Sequence, residues 1–375
     1  MTLSRLRRAI LGAAATTAAF HVLGARDAGA QNRRAMPPIR HVFVLVLENT
    51  NFDTTFRKGS DAPYLADTLR KRGALLREYY GTGHFSLDNY IAMIGGIAPT
   101  RETQLDCSRY LDFMDTGSTR DGQPAGKGCV YPASVNTIAN QLEAKGLTWK
   151  AYMEDMGATR SREASACAHP VLGALDSTQR ATADDNYATK HNPFMYFHAV
   201  IDAPGCTDNV VPLPRLEEAL RAASTTPNFA FIAPGLCHDG HDHPCRNGEP
   251  GGLISADAFL QHWVPIITSS PAFRADGLLI ITFDEALSID ARACCHEPSG
   301  PNVANPGVNG PGGGRIGAIL ISRYIKPGTI STAGYNHYSM LRSVEDIFGL
   351  PHLGYAGAKG LSSFGGDVFT RPRGR

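Results

Sequence analysis

After residue 30 the sequence has no apolar stretch long enough to cross a bilayer, so no stable membrane span is expected in the body of the chain. An excess of either charge is missing too: 36 lysines and arginines face 35 acids, a net charge of +1. The first 30 residues hold +3 of this, from Arg5, Arg7, Arg8 and Arg26 against Asp27, which leaves −2 for the remainder. A body so close to neutrality offers no global basic surface, and nucleic acid is not expected as a partner. No internal repeat and no basic amphipathic helix suited to a lipid surface is evident.

What is present begins with an export signal. Arg5, Arg7 and Arg8 precede the apolar run from Ala9 to Leu23, and Ala28-Gly29-Ala30 supplies small residues before Gln31. This pattern predicts a signal peptide over 1–30 and a secreted or periplasmic protein. All eight cysteines (Cys107, Cys129, Cys167, Cys206, Cys237, Cys245, Cys294 and Cys295) follow it. An even count in an oxidising compartment favours disulfides over thiolate metal sites. A bridge is expected within the Cys107 and Cys129 region, and Cys237 with Cys245 closes a short loop. The neighbours Cys294 and Cys295 are expected to bond elsewhere, because a bridge between adjacent residues is strained.

Residues 31–375 read as a single α/β domain. Continuous apolar runs at 41–47 and 277–283 suit central strands of a parallel sheet, buried on both faces. Further strands are expected at 75–80, 147–153, 228–233 and 315–322. Helices are expected at 63–72, 134–145, 213–223 and 256–267, and from Tyr335 to near Phe348. The alternation is a βαβ rhythm, which implies right-handed crossovers. Irregular excursions are expected near 98–131, 156–207 and 296–314.

Gly81-Thr82-Gly83-His84-Phe85-Ser86-Leu87-Asp88-Asn89-Tyr90 leads into the apolar Ile91-Ala92-Met93-Ile94. A small, flexible run thus delivers one hydroxyl, Ser86, to the first turn of a buried helix, where free N–H groups and the helix dipole favour an anion. Asn89, one turn later on the same face, can donate its amide to the same anion. Polar groups close the other predicted strands as well: Glu48-Asn49 after the first, the run His238-Asp239-Gly240-His241-Asp242-His243 after the 228–233 strand, and Asp284-Glu285 after the 277–283 strand. His337 stands at a helix start. Carboxylates mixed with imidazoles fit Zn²⁺, Mn²⁺ or Fe²⁺, and an all-oxygen set fits Mg²⁺ or Ca²⁺. A closely spaced pair of such ions would bridge a phosphoryl group and activate the Ser86 hydroxyl.

Leu45-Val46-Leu47-Glu48-Asn49, His84-Phe85-Ser86-Leu87-Asp88-Asn89-Tyr90, Ile280-Ile281-Thr282-Phe283-Asp284-Glu285 and Asn336-His337-Tyr338-Ser339 resemble the bacterial phosphoesterase family of secreted acid phosphatases and phospholipases C. That family lies within the alkaline phosphatase-like superfamily, and the resemblance runs in order from about Arg40 to Leu350. It implies an alkaline phosphatase-like three-layer α/β sandwich with a mostly parallel central sheet. The implied activity is metal-dependent hydrolysis of phosphoric esters through a phosphoseryl intermediate. Ser86 would be the nucleophile, with Asn89 on the phosphate. Glu48, Asp284 and Glu285 would hold one divalent ion with Ser86, and Asp239, His241 and His337 a second. His238, Asp242 and His243 compete for the roles of Asp239 and His241. His84, Asn49, His191 and Asn192 would line the phosphate pocket. Glu285 replaces a histidine common in the wider superfamily, which points to the acid phosphatase and phospholipase branch. Acid phosphatase is the first reading, on a phosphate ester that includes lipid or inositol phosphates among its candidates. Phospholipase C or another phosphodiesterase is the alternative, and a non-catalytic exported binding module is a third.

Overall fold

The first apolar run becomes strand β1, His41–Leu47, in which every residue from Val42 onward is buried. Such complete burial requires cover on both faces, and this fixes the layered architecture. The computed structural model describes residues 36–370, so the expected signal peptide lies outside the described residues. The other strands of the main sheet are β2 Ala74–Leu76, β3 Trp149–Met153, β4 Val210–Pro212, β5 Phe229–Ala233, β6 Gly277–Phe283, β7 Ala318–Ser322 and β8 Thr329–Ser331. Their eight-stranded order is β8-β2-β7-β6-β1-β5-β3-β4. Only β7 runs antiparallel to its neighbours, β6 and β2; every other pairing is parallel. The sheet is therefore mostly parallel, as the βαβ rhythm predicts.

The four longest α-helices among the described residues are α1 Ser86–Gly95, α2 Ile138–Ala144, α3 Gly252–Ser269 and α4 His337–Phe348. α1 packs on α4 and α2, and all ten of its residues are buried. A helix without a polar face belongs inside a protein. α2 begins later than the 134–145 pattern implies, because Thr137 caps it in a reciprocal pair with Asn140. The 213–223 helix shrinks to Arg215–Ala219, while α3 outgrows its expected 256–267 span.

Two other expectations are corrected. The 75–80 strand is two pieces: β2 stops at Leu76, and Tyr79–Tyr80 pairs with Tyr335–Asn336 in a separate parallel ribbon. Cys294 and Cys295 bond to each other, because the remaining six cysteines pair as Cys107–Cys129, Cys167–Cys206 and Cys237–Cys245. The last of these, and the Cys107–Cys129 bridge, are as expected from the sequence.

α1 ends at Gly96, whose φ of +66° is left-handed and whose N–H donates to the Ala92 carbonyl, the single-bond αL stop. A Cβ there would lie 2.3 Å from the Leu353 carbonyl oxygen. Gly96→Ala is predicted to cost about 2 kcal/mol from the φ penalty and the clash, lowering the thermal midpoint by several degrees without altering Ser86 at the opposite end of the helix. The buried Glu345 of α4 gives a second test. Burial pushes its carboxyl up to about 8, against the partial relief of the Leu353 N–H that it accepts. The unfolded chain loses this proton near pH 4.3. The native advantage is thus complete below that pH and disappears as pH rises to about 8. Glu345→Gln keeps the acceptor and removes the titration, so urea melts should show the variant gaining on the parent by about a few kcal/mol between pH 4 and pH 9.

Candidate active site

The register of the central strands sets the geometry. Leu47 of β1 pairs with Phe283 of β6, so the next residues, Glu48 and Asp284, emerge side by side at the carboxyl edge of the sheet. Open α/β sheets place their ligands at this edge. The Asp284 N–H donates to the Leu47 carbonyl at 2.8 Å, and the Glu48 N–H donates to the Asp239 carbonyl at 2.8 Å, which brings the loop after β5 to the same point.

Glu48 is fully buried and accepts three side-chain hydrogen bonds: Ser86 Oγ at 2.8 Å and Asn49 Nδ2 at 2.8 Å on Oε2, and the Tyr90 hydroxyl at 2.7 Å on Oε1. His191 stacks on Tyr90 with ring centroids 5.3 Å apart and sets Nε2 3.4 Å from Glu48 Oε1 and Nδ1 3.8 Å from Asp239 Oδ2. Asp284 Oδ1 accepts from the N–H groups of Asn49 at 2.9 Å and Glu285 at 2.6 Å, and its buried Oδ2 has no partner. Asp239 repeats the pattern: Oδ1 accepts from the His241 N–H at 2.8 Å, and Oδ2 is buried without a hydrogen bond.

Charge crowding results from this convergence. Burial, then Asp284 and Asp239, push the Glu48 carboxyl well above the ordinary range, against pulls from Lys190 and Tyr90. Burial raises Asp239 likewise, and lifts Asp284 to about 6 despite its two N–H donors. Burial holds the His191 ring neutral, with Lys190 adding to the effect. Buried acids with unpaired oxygens are costly unless a cation neutralises them.

The backbone at the two central residues is unusual. Asn49, directly after Glu48, has φ +51°, and Phe85, directly before Ser86, has φ +79°. Positive φ at a large non-glycine residue is strain of the kind held at functional sites. The turn is kept by Asn89, whose Oδ1 accepts from the N–H groups of Thr82 at 2.8 Å and Gly83 at 3.0 Å, while Nδ2 donates to the carbonyls of Gly83 and Phe85. Gly83 admits no side chain, because its Cβ would lie 2.4 Å from Asp88 Oδ1.

The phosphoesterase family model matches residues 58–351. The chain belongs to the phosphoesterase family. It is 25% identical over 320 residues to a probable acid phosphatase of Kluyveromyces lactis, covering 84% of this chain and 59% of that protein. It is 23% identical to a phosphatidylinositol-3-phosphatase of Mycobacterium tuberculosis, covering 94% of this chain and 92% of that one. The chain therefore spans little more than half the length of the fungal relative. Its α/β fold, the alkaline phosphatase-like kind expected, is similar to that of a sulfatase from Pseudoalteromonas sp., with a TM-score of 0.50 and 13% identity over 89% of this chain and 72% of that one.

Of the residues that sequence reasoning singles out, the fold brings Glu48, Asn49, Ser86, Asp239, Asp284 and His191 together. Glu285 lies one step away, its Oε2 2.5 Å from His84 Nδ1, and His84 Nε2 donates to the Asp290 carbonyl at 3.0 Å. Burial raises the Glu285 carboxyl and lowers His84. Asn192 is buried, donating from Nδ2 to the Tyr187 hydroxyl at 3.0 Å.

Three expected roles do not match the geometry. Asn89 uses its whole amide within the turn and has no N–H left for an anion. His337 donates from Nε2 to the Asp284 carbonyl at 2.5 Å, and Nδ1 lies 3.2 Å from the Tyr79 hydroxyl, so neither nitrogen is free for a metal. His241 is half exposed, with Nδ1 3.9 Å from Asp242 Oδ1. Nor does the rest of the run supply imidazoles. His238 pairs with Glu154 at 2.9 Å and Glu249 at 3.1 Å, and His243 bonds to the Pro250 carbonyl. Cys237, His238 and Glu249 lie close enough together to hold an ion, but the Cys237 sulfur is committed to Cys245. Sequence reasoning also overlooks Lys190, which stands next to His191, and Asp88, a buried carboxyl with neither oxygen bonded.

Proposed function

We propose that this protein is an exported phosphoric ester hydrolase acting on phosphomonoesters, with Ser86 as nucleophile. The observation that carries this reading is the Ser86 hydroxyl at the first turn of α1, donating at 2.8 Å to a buried carboxylate beside two others with unpaired oxygens. The acid phosphatase relative and the family membership support the ester class. Four disulfides and the absence, among the described residues, of a helix able to cross a membrane are consistent with export.

The donor set fits a divalent cation. Orphaned oxygens on Asp239 and Asp284 with the Glu48 carboxylate and the Ser86 hydroxyl would hold it, and the predominance of oxygen favours a hard ion. When bound, such an ion supplies positive charge for the phosphoryl oxygens and lowers the pKa of the serine hydroxyl. No second, imidazole-rich site converges among the described residues.

The chain's own groups have definable tasks. Glu48 accepts the Ser86 hydrogen bond and so aims a lone pair of Oγ away from the carboxylate, toward the open side of the turn. Attack forms the Oγ–P bond as the hydroxyl proton passes to Glu48 along the existing hydrogen bond, and it breaks the P–O bond to the ester oxygen, which leaves with a proton from water or a neighbouring acid. His191, stacked on Tyr90 with Nε2 3.4 Å from Glu48 Oε1, would serve as the proton acceptor when water releases phosphate from Ser86. The strained Phe85 peptide fixes Oγ before substrate arrives, which reduces the entropic cost of attack.

A specific lipid-derived substrate is a second reading, favoured by the mycobacterial relative, which this chain matches along nearly the full length of both. Phosphatidylinositol 3-phosphate in mixed micelles, compared with p-nitrophenyl phosphate, discriminates between the two.

Ser86→Ala is predicted to lower p-nitrophenyl phosphate turnover by at least about 10³-fold while shifting the thermal midpoint by only a few degrees, since about 1 kcal/mol of hydrogen bond is lost. Retained turnover would remove Ser86 from the mechanism. Chelation followed by dialysis should abolish activity and lower the thermal midpoint, and add-back of divalent ions one at a time should restore both. Full activity in metal-free protein, verified by elemental analysis, contradicts the metal dependence.

A further inference from the structure

Lys190 is the positive neighbour shared by the inner carboxylates: its charge acts on Glu48, Asp239 and Glu285. It is not a free surface lysine. The side chain is 14% exposed, and Nζ donates to Asp106 Oδ2 at 3.0 Å. Asp106 in turn accepts the Leu87 N–H on Oδ1 at 3.1 Å, which fastens the ammonium to the first turn of α1, next to Ser86. The Asp106 carbonyl accepts from Gln179 Nε2 at 2.9 Å, and the same amide donates to Asp176 Oδ2 at 2.9 Å. From the other side, the Thr189 N–H donates to Thr178 Oγ1 at 2.8 Å and fixes the turn Thr189–His191 that carries both Lys190 and His191. Both ends of the side chain are therefore positioned.

An ammonium has three donors, and Asp106 takes one of them. The chain neighbour of Lys190, His191, sets Nε2 3.4 Å from Glu48 Oε1, and its partner Asp106 holds the N–H of Leu87, the residue after Ser86, so the ammonium is tied to the site from two directions. The ammonium is a compact point charge whose rotatable donors can turn toward any of the oxygens of a phosphoryl group. Near neutral pH a phosphomonoester carries up to two charges, because its second pKa is about 6, whereas a diester carries one.

We propose that Lys190 binds the non-bridging oxygens of the phosphoryl group and thereby selects monoesters over diesters. This rests on the phosphoesterase reading of the same site. Its consequence is a preference written into one side chain outside the carboxylate cluster.

The test compares the parent with Lys190→Met, Lys190→Arg and Asp106→Asn on p-nitrophenyl phosphate and bis(p-nitrophenyl) phosphate. Inorganic phosphate binding to each metal-loaded protein is measured in parallel by calorimetry. Lys190→Met is expected to lose roughly 30-fold in kcat/KM on the monoester and under about threefold on the diester, and to bind phosphate at least about tenfold more weakly. Lys190→Arg should restore most of the ratio. Asp106→Asn keeps an acceptor for the Leu87 N–H but turns an amide NH2 toward the ammonium, which keeps its charge and loses its tether, so it should lower the ratio less than Lys190→Met. Equal losses on both substrates, or unchanged phosphate affinity, would overturn the proposal and leave Lys190 a counter-charge for Asp106. Should Lys190→Met not fold, Lys190→Gln takes its place with the same expectations. A parent that hydrolyses neither ester refutes the hydrolase reading, and the phosphate titration then decides Lys190 alone.

Discussion

The structure depends on keeping one carboxylate, Glu48, entirely out of water. Its three hydrogen-bond donors come from Asn49, beside it at the end of β1, and from Ser86 and Tyr90 of α1, so a single side chain ties the central strand to the helix that presents the nucleophile. The cost of burying it is high, and the neighbouring Asp284 and Asp239 increase it. The sheet bears that cost. Parallel pairing of β1 with both β5 and β6 leaves the strand ends no freedom to separate, and the buried residues from Val42 to Leu47 hold β1 in place. Local electrostatic destabilisation is thus balanced by apolar burial elsewhere, which is how strained sites persist.

This division between sheet and site also governs what is legible in the sequence. β1 and β6 can be read directly, because seven-residue strands buried on both faces need unbroken apolar runs, and the residue after such a run must reach the sheet edge. Glu48 and Asp284 stand out by that logic, and Ser86 by its place at the start of an apolar helix. The histidine run after β5 cannot be resolved in the same way, since its outcome depends on backbone conformation. Gly240 turns at φ +107°, leaving Asp239 inside while His241 faces solvent. The tasks of Asn89 and His337 escape sequence reasoning for a related reason. Side-chain type shows what a residue can donate, but the turn at 81–85 and the carbonyl of Asp284 claim those donors first. Lys190 gives no signal, because its neighbours Asp106 and Glu48 are distant in sequence and no periodicity relates them.

Covalent constraint and charge placement coincide in the excursions from the sheet. Asp106 adjoins the Cys107–Cys129 loop, Lys190 and His191 lie within the Cys167–Cys206 loop, and Asp239 lies within the Cys237–Cys245 loop. Each loop delivers a charged or titratable group to the nucleophile, and none of these groups is carried by a regular strand. A sheet can position the residue after a strand to within a hydrogen bond, whereas a long irregular segment cannot hold a side chain without a second anchor. The bridges supply that anchor by restricting the conformations open to the loops.

Stability of the fold and integrity of the site are consequently separate properties. The sheet core is contributed by β1, β5 and β6, which contain no cysteine. Of the groups around Ser86, Glu48 and Asp284 follow strands, whereas Asp239, Lys190 and His191 come from segments closed by disulfides. The bridges act beside hydrogen bonds that hold the same groups: the Glu48 N–H on the Asp239 carbonyl, and the Thr189 N–H on Thr178 Oγ1. In this molecule the strands set the two central carboxylates, and the cross-linked loops set the groups that face them.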